Sequence, residues 1–299
     1  MSSIAVGSAP NARAGLLLGL LGVLAFSLTL PMTRVAVAEL DASFVAFGRM
    51  AIAGLVAVAW LIVTRARAPA RRQWAPLAWA SLGIVFGFPL LSSLAMRSMP
   101  ASHGAIVNGL LPFTTALFAA ALHRDRQGAR FWICAAIGSA IVIAFALREG
   151  NATLTAGDLW MLGAVVLGAL GYVMGGRLAA AIGGIDVILW ALAIALPISL
   201  PIALALAFTT PLAASAPAWS GFVYVALVSQ LVGFFAWYNG LALGGIARVG
   251  QVQLLQVFFT IAFAALLFGE RVEPATWLAA TAVVACIAVG RWSPKQEAR

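Results

Sequence analysis

Apolar residues in this chain come in unbroken blocks of about 20, separated by short polar breaks. A helix rises about 1.5 Å per residue, so a block of that length crosses a hydrocarbon core of roughly 30 Å. In lipid only helices and closed barrels satisfy every backbone polar group. Barrel strands alternate polar and apolar positions, and continuous blocks exclude that pattern. The sequence therefore predicts an all-α integral membrane protein with ten transmembrane helices. The spans fall at Gly15–Val37, Ser43–Thr64, Trp74–Met96, Ala101–Leu122, Arg130–Leu147, Gly157–Arg177, Gly184–Phe208, Ala218–Leu241, Ala247–Phe268 and Ala275–Arg291. The breaks are too short to hold a soluble domain. The first apolar block resembles the hydrophobic region of a signal peptide but is too long for one, and reads as an uncleaved first span.

Composition agrees: 63% of residues are hydrophobic and 9% charged, against about a quarter charged in soluble domains. Lysine and arginine orient the chain. Counting alternate breaks, 13 fall on one side, among them Arg65, Arg67, Arg71, Arg72, Arg124, Arg126 and Arg130, and 5 on the other, Arg34, Arg49, Arg97, Arg148 and Arg271. The positive-inside bias then predicts both termini cytoplasmic. It also accounts for the formal charge of +9 without nucleic acid, which would need a basic face on a soluble module. Tryptophans such as Trp60, Trp74, Trp132, Trp160 and Trp277 sit near span ends, where aromatic anchors belong. Cys134 and Cys286 lie inside apolar blocks and suggest neither a disulfide framework nor a metal site. No cofactor is expected.

A weak internal repeat divides the chain. PFTTALFAAALHRDRQGARFW from Pro112 aligns with VFFTIAFAALLFGERVEPATW from Val257 at an offset of 145, matching Phe113 to Phe258, Thr115 to Thr260, Arg126 to Arg271 and Trp132 to Trp277. Each half, residues 1–150 and 151–299, holds five spans. An odd number makes the second half enter the membrane from the opposite side, the inverted arrangement of many secondary transporters.

The run FGERVEPATW (Phe268–Trp277), with its poorer copy HRDRQGARFW after the fourth span, resembles the EamA-type repeat of the drug/metabolite transporter superfamily. More narrowly, the chain is similar to bacterial aromatic amino-acid exporters of the YddG type. The resemblance covers essentially the whole chain. It implies ten helices, a bacterial inner-membrane location and export of amino acids. The first copy departs from the pattern at Arg124 for Gly269, at Gln127-Gly128-Ala129 for Val-Glu-Pro, and at Asp125 for Glu270.

Intramembrane ionisable residues are functional candidates, yet Glu39, Asp41, Asp125, Glu149, Asp158, Asp186, Glu270 and Glu273 all fall at span ends or in breaks. Arg49 lies deeper. It reads as snorkelling outward or pairing with Glu39 or Asp41; the alternative is a place in a cavity, attracting a carboxylate. Uncharged groups form stripes at helical spacing: Gln253, Gln256 and Thr260 on the ninth span, Asn108, Pro112 and Thr115 on the fourth, and Gln230, Phe234 and Tyr238 on the eighth beside Trp237. Phe86 and Ser93, Ser27, Tyr172 and His103 join them from the third, first, sixth and fourth spans. Such groups also bond helices together, and His103 equally suits an interfacial structural role. As a cavity lining they suit a neutral amino acid, its charged ends held by amides and hydroxyls and its side chain by aromatic rings. Gly83, Gly87, Pro112, Gly233 and Gly250 are candidate hinges, or points of close packing.

Membrane enzymes need a buried nucleophile–base pair or a ligand cluster, and two histidines at opposite span ends supply neither. The expected function is therefore a secondary transporter of amino acids working by alternating access, with amino acids and membrane lipid as its partners. A broad drug or metabolite exporter is the alternative.

Overall fold

The computed structural model describes residues 9–123, 128–149, 154–244, 249 and 252–291. Among the described residues every regular element is helical. Eight segments are long and apolar enough to cross a membrane: α1 (Arg13–Val37), α2 (Ala42–Val63), α3 (Arg71–Met96), α4 (Ala101–Leu122), α5 (Ala129–Arg148), α6 (Ala156–Ala179), α7 (Gly184–Thr209) and α8 (Ala216–Gly240). Two shorter apolar helices follow, α9 (Leu255–Phe268) and α10 (Pro274–Gly290). Between 33% and 56% of each long helix's most apolar window is buried. The other faces are apolar too, and leave Phe208, Leu266, Val63 and Leu278 largely exposed. A helix apolar all round is at home in lipid.

The main packing pairs are α1 with α8, α2 with α7, α3 with α6, α4 with α6 and α5 with α10. Each joins a helix from residues 1–150 to one from residues 151–299. Small residues allow the approach, which in lipid depends on packing rather than on expelling water. Gly83 and Gly171 meet backbone to backbone between α3 and α6, and Gly240 meets Gly19 between α8 and α1.

Four helices are interrupted. α1 breaks at Leu28, and α4 at Gly109-Leu110, where Pro112 cannot donate a backbone bond. α3 contains a π-helical stretch, Ser81–Gly87, and α8 another, Tyr224–Val232. In each the closing bond spans five residues, from Phe88 N–H to the Gly83 carbonyl and from Gly233 N–H to that of Val228. π-Turns inside α-helices frequently mark functional sites.

One end of the bundle is tied by polar contacts, and the GERVEP run explains much of it. Gly269 ends α9 in a left-handed conformation (φ 66°), which glycine adopts without strain. The Glu270 carboxylate then reaches α4, accepting from Ala101 N–H at 2.8 Å and Ser102 N–H at 3.0 Å. Arg34 lies 3.5 Å from Glu270 and donates to the Met99 carbonyl. Glu273 pairs with Arg148, and Pro274 opens α10, a position proline favours. Thr155 and Asp158 form a capping box on α6. Asp158 also lies 2.9 Å from His103 of α4, whose ring meets Phe145 edge-on.

Glu39 follows α1 at this same end. It accepts from the Ser215 hydroxyl and N–H at 2.6 Å each. The hydroxyl bond first, then the backbone bond, lowers its pKa below the ordinary carboxylate value. The unfolded chain thus takes up this proton first. The contribution is complete above the ordinary carboxylate range and disappears as pH falls through the folded value. In a pH series, Glu39→Gln is expected to lower the melting temperature at neutral pH, to change little in acid, where the wild-type carboxyl is itself protonated, and so to flatten part of the acid-side fall.

Candidate functional site

Midway along the bundle the helices part around a cavity whose empty space, counted out to open solvent, is about 520 Å³. α1 contributes Phe26, Thr29 and Leu30, and α2 contributes Arg49. Ile84 and Phe88 come from α3, Asn108 and Leu111 from α4, and Gly168 and Tyr172 from α6. Ser229, Gln230 and Phe234 come from α8, and Gln256 from α9. A smaller space of about 280 Å³ adjoins it between α4, α9 and α10, sharing Asn108, Leu111 and Gln256 and adding Pro112 and Gln253.

The two π-stretches form facing walls. Gln230 in one donates from Nε2 to the Ile84 carbonyl in the other, at 3.3 Å. Next to Gln230, Ser229 Oγ lies 2.8 Å from Thr29 Oγ1 and accepts from Arg49 Nη2 at 3.2 Å. This polar row crosses α1, α8 and α2. Aromatic rings make up much of the remaining wall: Phe26 meets Phe234 edge-on at 4.9 Å, and Tyr172 meets Phe234 at 6.4 Å.

Arg49 corrects the expectation that it snorkels outward or pairs with Glu39 or Asp41. It is 2% exposed and lines the cavity. Both acids are satisfied elsewhere, Glu39 by Ser215 and Asp41 by the Ser43 and Phe44 N–H groups that it caps. The cavity wall accordingly carries a buried guanidinium as well as uncharged groups.

Of the other candidates, Asn108, Tyr172, Gln230, Phe234 and Gln256 line the main cavity, while Gln253 and Pro112 line its extension. Ser27 sits behind the wall, bonded to the Val23 carbonyl and reaching that of Gln256 at 3.5 Å. Trp237 and Tyr238 form a second layer, with Trp237 against Phe26 and Tyr238 against Phe234. Phe86 packs edge-on to Phe47. Ser93 and Thr115 bond carbonyls of their own helices, and Thr260 is buried. His103 is at the Glu270 end, away from this lining. Gly83 and Gly87 lie in the α3 π-stretch and Gly233 directly follows that of α8; Gly250 lies outside the described residues. Sequence periodicity passed over Ser229 because it assumes α-helical phase. The wider π-turn keeps neighbouring residues nearer one face, so Ser229 and Gln230 both reach the cavity.

A central cavity at the meeting of two sets of membrane helices is how carriers are built. The EamA-like transporter family matches residues 13–147 and again residues 155–290. The chain belongs to the EamA-like transporter family. It is similar to the uncharacterized transporter YdeK of Bacillus subtilis (strain 168), 41% identical over 276 residues that span 91% of this chain and 95% of that one. A solved crystal structure is similar in fold, with a TM-score of 0.66 and 19% identity, covering 96% of this chain and 99% of its own. Family and relative place this multi-pass membrane protein among transporters rather than enzymes.

Proposed function

We propose that this EamA-like transporter exports neutral amino acids, aromatic ones included, across the bacterial inner membrane by alternating access. It does so as two inverted five-helix repeats, residues 1–150 and 151–299, with ten spans and both termini cytoplasmic. The observation that carries this reading is the central cavity, whose wall combines aromatic rings with amide, hydroxyl and guanidinium groups from helices of both halves. Aromatic side chains stack on such rings, and the polar groups suit the backbone ends of an amino acid. Lysine and arginine counts support the orientation, which puts Glu270, Arg34, Glu39 and His103 on the outer side. Their contacts then close the cavity outward. The π-stretches with Gly83, Gly87 and Gly233, and the break ahead of Pro112, are where the helices bend as access alternates.

The test is uptake of labelled tryptophan by proteoliposomes, with unlabelled neutral amino acids as competitors and with and without an imposed pH gradient. Saturable, competed uptake is expected. Empty-liposome levels in a folded preparation would remove the amino-acid assignment. Exclusion of lipophilic dyes from expressing cells would then favour the broad drug exporter.

A further inference from the structure

Arg49 is more deeply buried than an arginine needs to be for packing. An intramembrane arginine is costly unless it is paired or serves a pathway. Here only Nη2 has a partner, the neutral Ser229 hydroxyl, while Nε and Nη1 are buried with none among the described residues. The described ion pairs include none to Arg49, and no described residue lining either cavity is Asp or Glu. The guanidinium fork is thus built into the wall with two nitrogens unused. Beside it, Ser229 and Thr29 share one hydrogen bond between two hydroxyls, leaving one hydroxyl hydrogen for a further acceptor.

A carboxylate is the group this arrangement fits. It takes two parallel N–H bonds from one edge of an arginine, here Nη2 with either Nε or Nη1, the other Nη2 hydrogen staying on Ser229, and a third from the hydroxyl pair. The geometry points to Arg49, Ser229 and Thr29 as a carboxylate subsite, with the substrate's apolar body against Phe26, Phe88 and Phe234. This deepens the exporter reading and rests on the cavity being the substrate site. It also sets the substrate class. The described lining offers an amino group no counter-charge, only neutral oxygens and ring faces, so the carboxylate is required and the ammonium is not. The carrier accepts small monocarboxylates with an apolar body, 2-oxo acids as well as amino acids, and rejects the matching amines, whose cation would face Arg49.

The experiment uses phenylalanine, phenylpyruvate (carboxylate without ammonium) and phenethylamine (ammonium without carboxylate). In wild-type proteoliposomes taking up labelled phenylalanine, phenylpyruvate is expected to compete within about tenfold of unlabelled phenylalanine, and phenethylamine not to compete. Arg49→Gln is expected to weaken apparent affinity by about tenfold to a hundredfold, the range of charge-assisted bonds, and Arg49→Lys to recover part of it. Without ligand, the melting temperature of Arg49→Gln should equal or exceed that of wild type, because an uncompensated buried charge has been removed. Competition by phenethylamine as strong as by phenylpyruvate overturns the inference and leaves the exporter reading standing. So does unchanged affinity in a folded Arg49→Gln. If wild type takes up no phenylalanine, the amino-acid reading falls and melting temperatures decide. A rise with phenylpyruvate that is absent in Arg49→Gln upholds the carboxylate subsite; no rise in wild type overturns it.

Discussion

Gly83→Ala is expected to prevent the protein from reaching a stable fold, or to lower its melting temperature more than any other small-to-small change in α3. A methyl group at Gly83 would press onto the Leu167 carbonyl oxygen and lie 2.5 Å from Gly171 N and 2.6 Å from its Cα. All three are backbone atoms of α6, so no side chain can swing aside. The facing position has the same constraint: a methyl on Gly171 would lie 2.7 Å from Ile84 N. Relief requires α3 and α6 to separate along the length over which they pack. Overpacking costs about 1–3 kcal/mol where side chains can adjust and more where they cannot. In lipid no gain from expelling water offsets the van der Waals packing given up as the helices part. Separation would also disturb the cavity, because Ile84, Gly168 and Tyr172 line it on either side of this interface. Gly176 is the control. It lies on the same helix, α6, with nothing within 4 Å of the position a methyl would take. Gly176→Ala should be neutral, or stabilising by up to about 1 kcal/mol through helix propensity. Melting temperature and the monodisperse fraction in detergent read both variants. Equal behaviour of the two would mean that the close α3–α6 approach is not what holds this interface.

Glu270→Gln is expected to loosen the end of the bundle where α1, α4 and α9 meet. The carboxylate accepts two backbone N–H groups at the start of α4 and faces Arg34. Every partner is a donor. An amide has one oxygen to offer, and its NH₂ group would confront donors with a donor. Losing charge-assisted bonds of this kind costs on the order of 1.5–3 kcal/mol. The measurement is maleimide labelling of Thr33→Cys, with Cys134 and Cys286 replaced. Thr33 is fully buried, one turn along α1 from the cavity residue Leu30 and next to Arg34. If Glu270 closes this end, labelling should rise severalfold, up to about tenfold for each 1.4 kcal/mol of shifted opening equilibrium. Arg34→Gln should do less, since the Arg34 side chain is 40% exposed and exposed ion pairs contribute little. A fall in melting temperature with unchanged labelling would make Glu270 a helix cap and nothing more.

The bundle end and the cavity were not equally visible in the sequence. The glycine–glutamate pair stood out as part of a repeated element, but its partner at the start of α4 lies 168 and 169 residues away. A single sequence does not display that contact. Asn108 and Gln256 were legible as cavity residues because a polar side chain inside an apolar block has few destinations: a cavity, or another helix. Trp237 and Tyr238 met the same criterion and ended one layer behind the wall. The choice between those destinations depends on the neighbouring helix and its distance.

Arg49 shows where local reading stops. Its depth in the second span was plain, and long basic side chains ordinarily reach back to the interface. Which way it turned depended on two things outside its own helix: Ser215 and two backbone N–H groups occupied the nearby acids, and α8 presented Ser229.

What the sequence determined by itself is the helical, membrane-embedded character of the chain and most of its helix boundaries, Ala101–Leu122 at both ends and the others to within three residues, except that the ninth span reads from Ala247 and the described helix starts at Leu255. Those follow from local physics, since lipid obliges each long apolar segment to satisfy its own backbone. Only the tertiary structure decided the rotation of each helix, the π-stretches in α3 and α8, and the direction of Arg49. Each of these balances one helix's hydrogen bonding against packing on helices distant in sequence, and that balance exists only once the neighbours are in place.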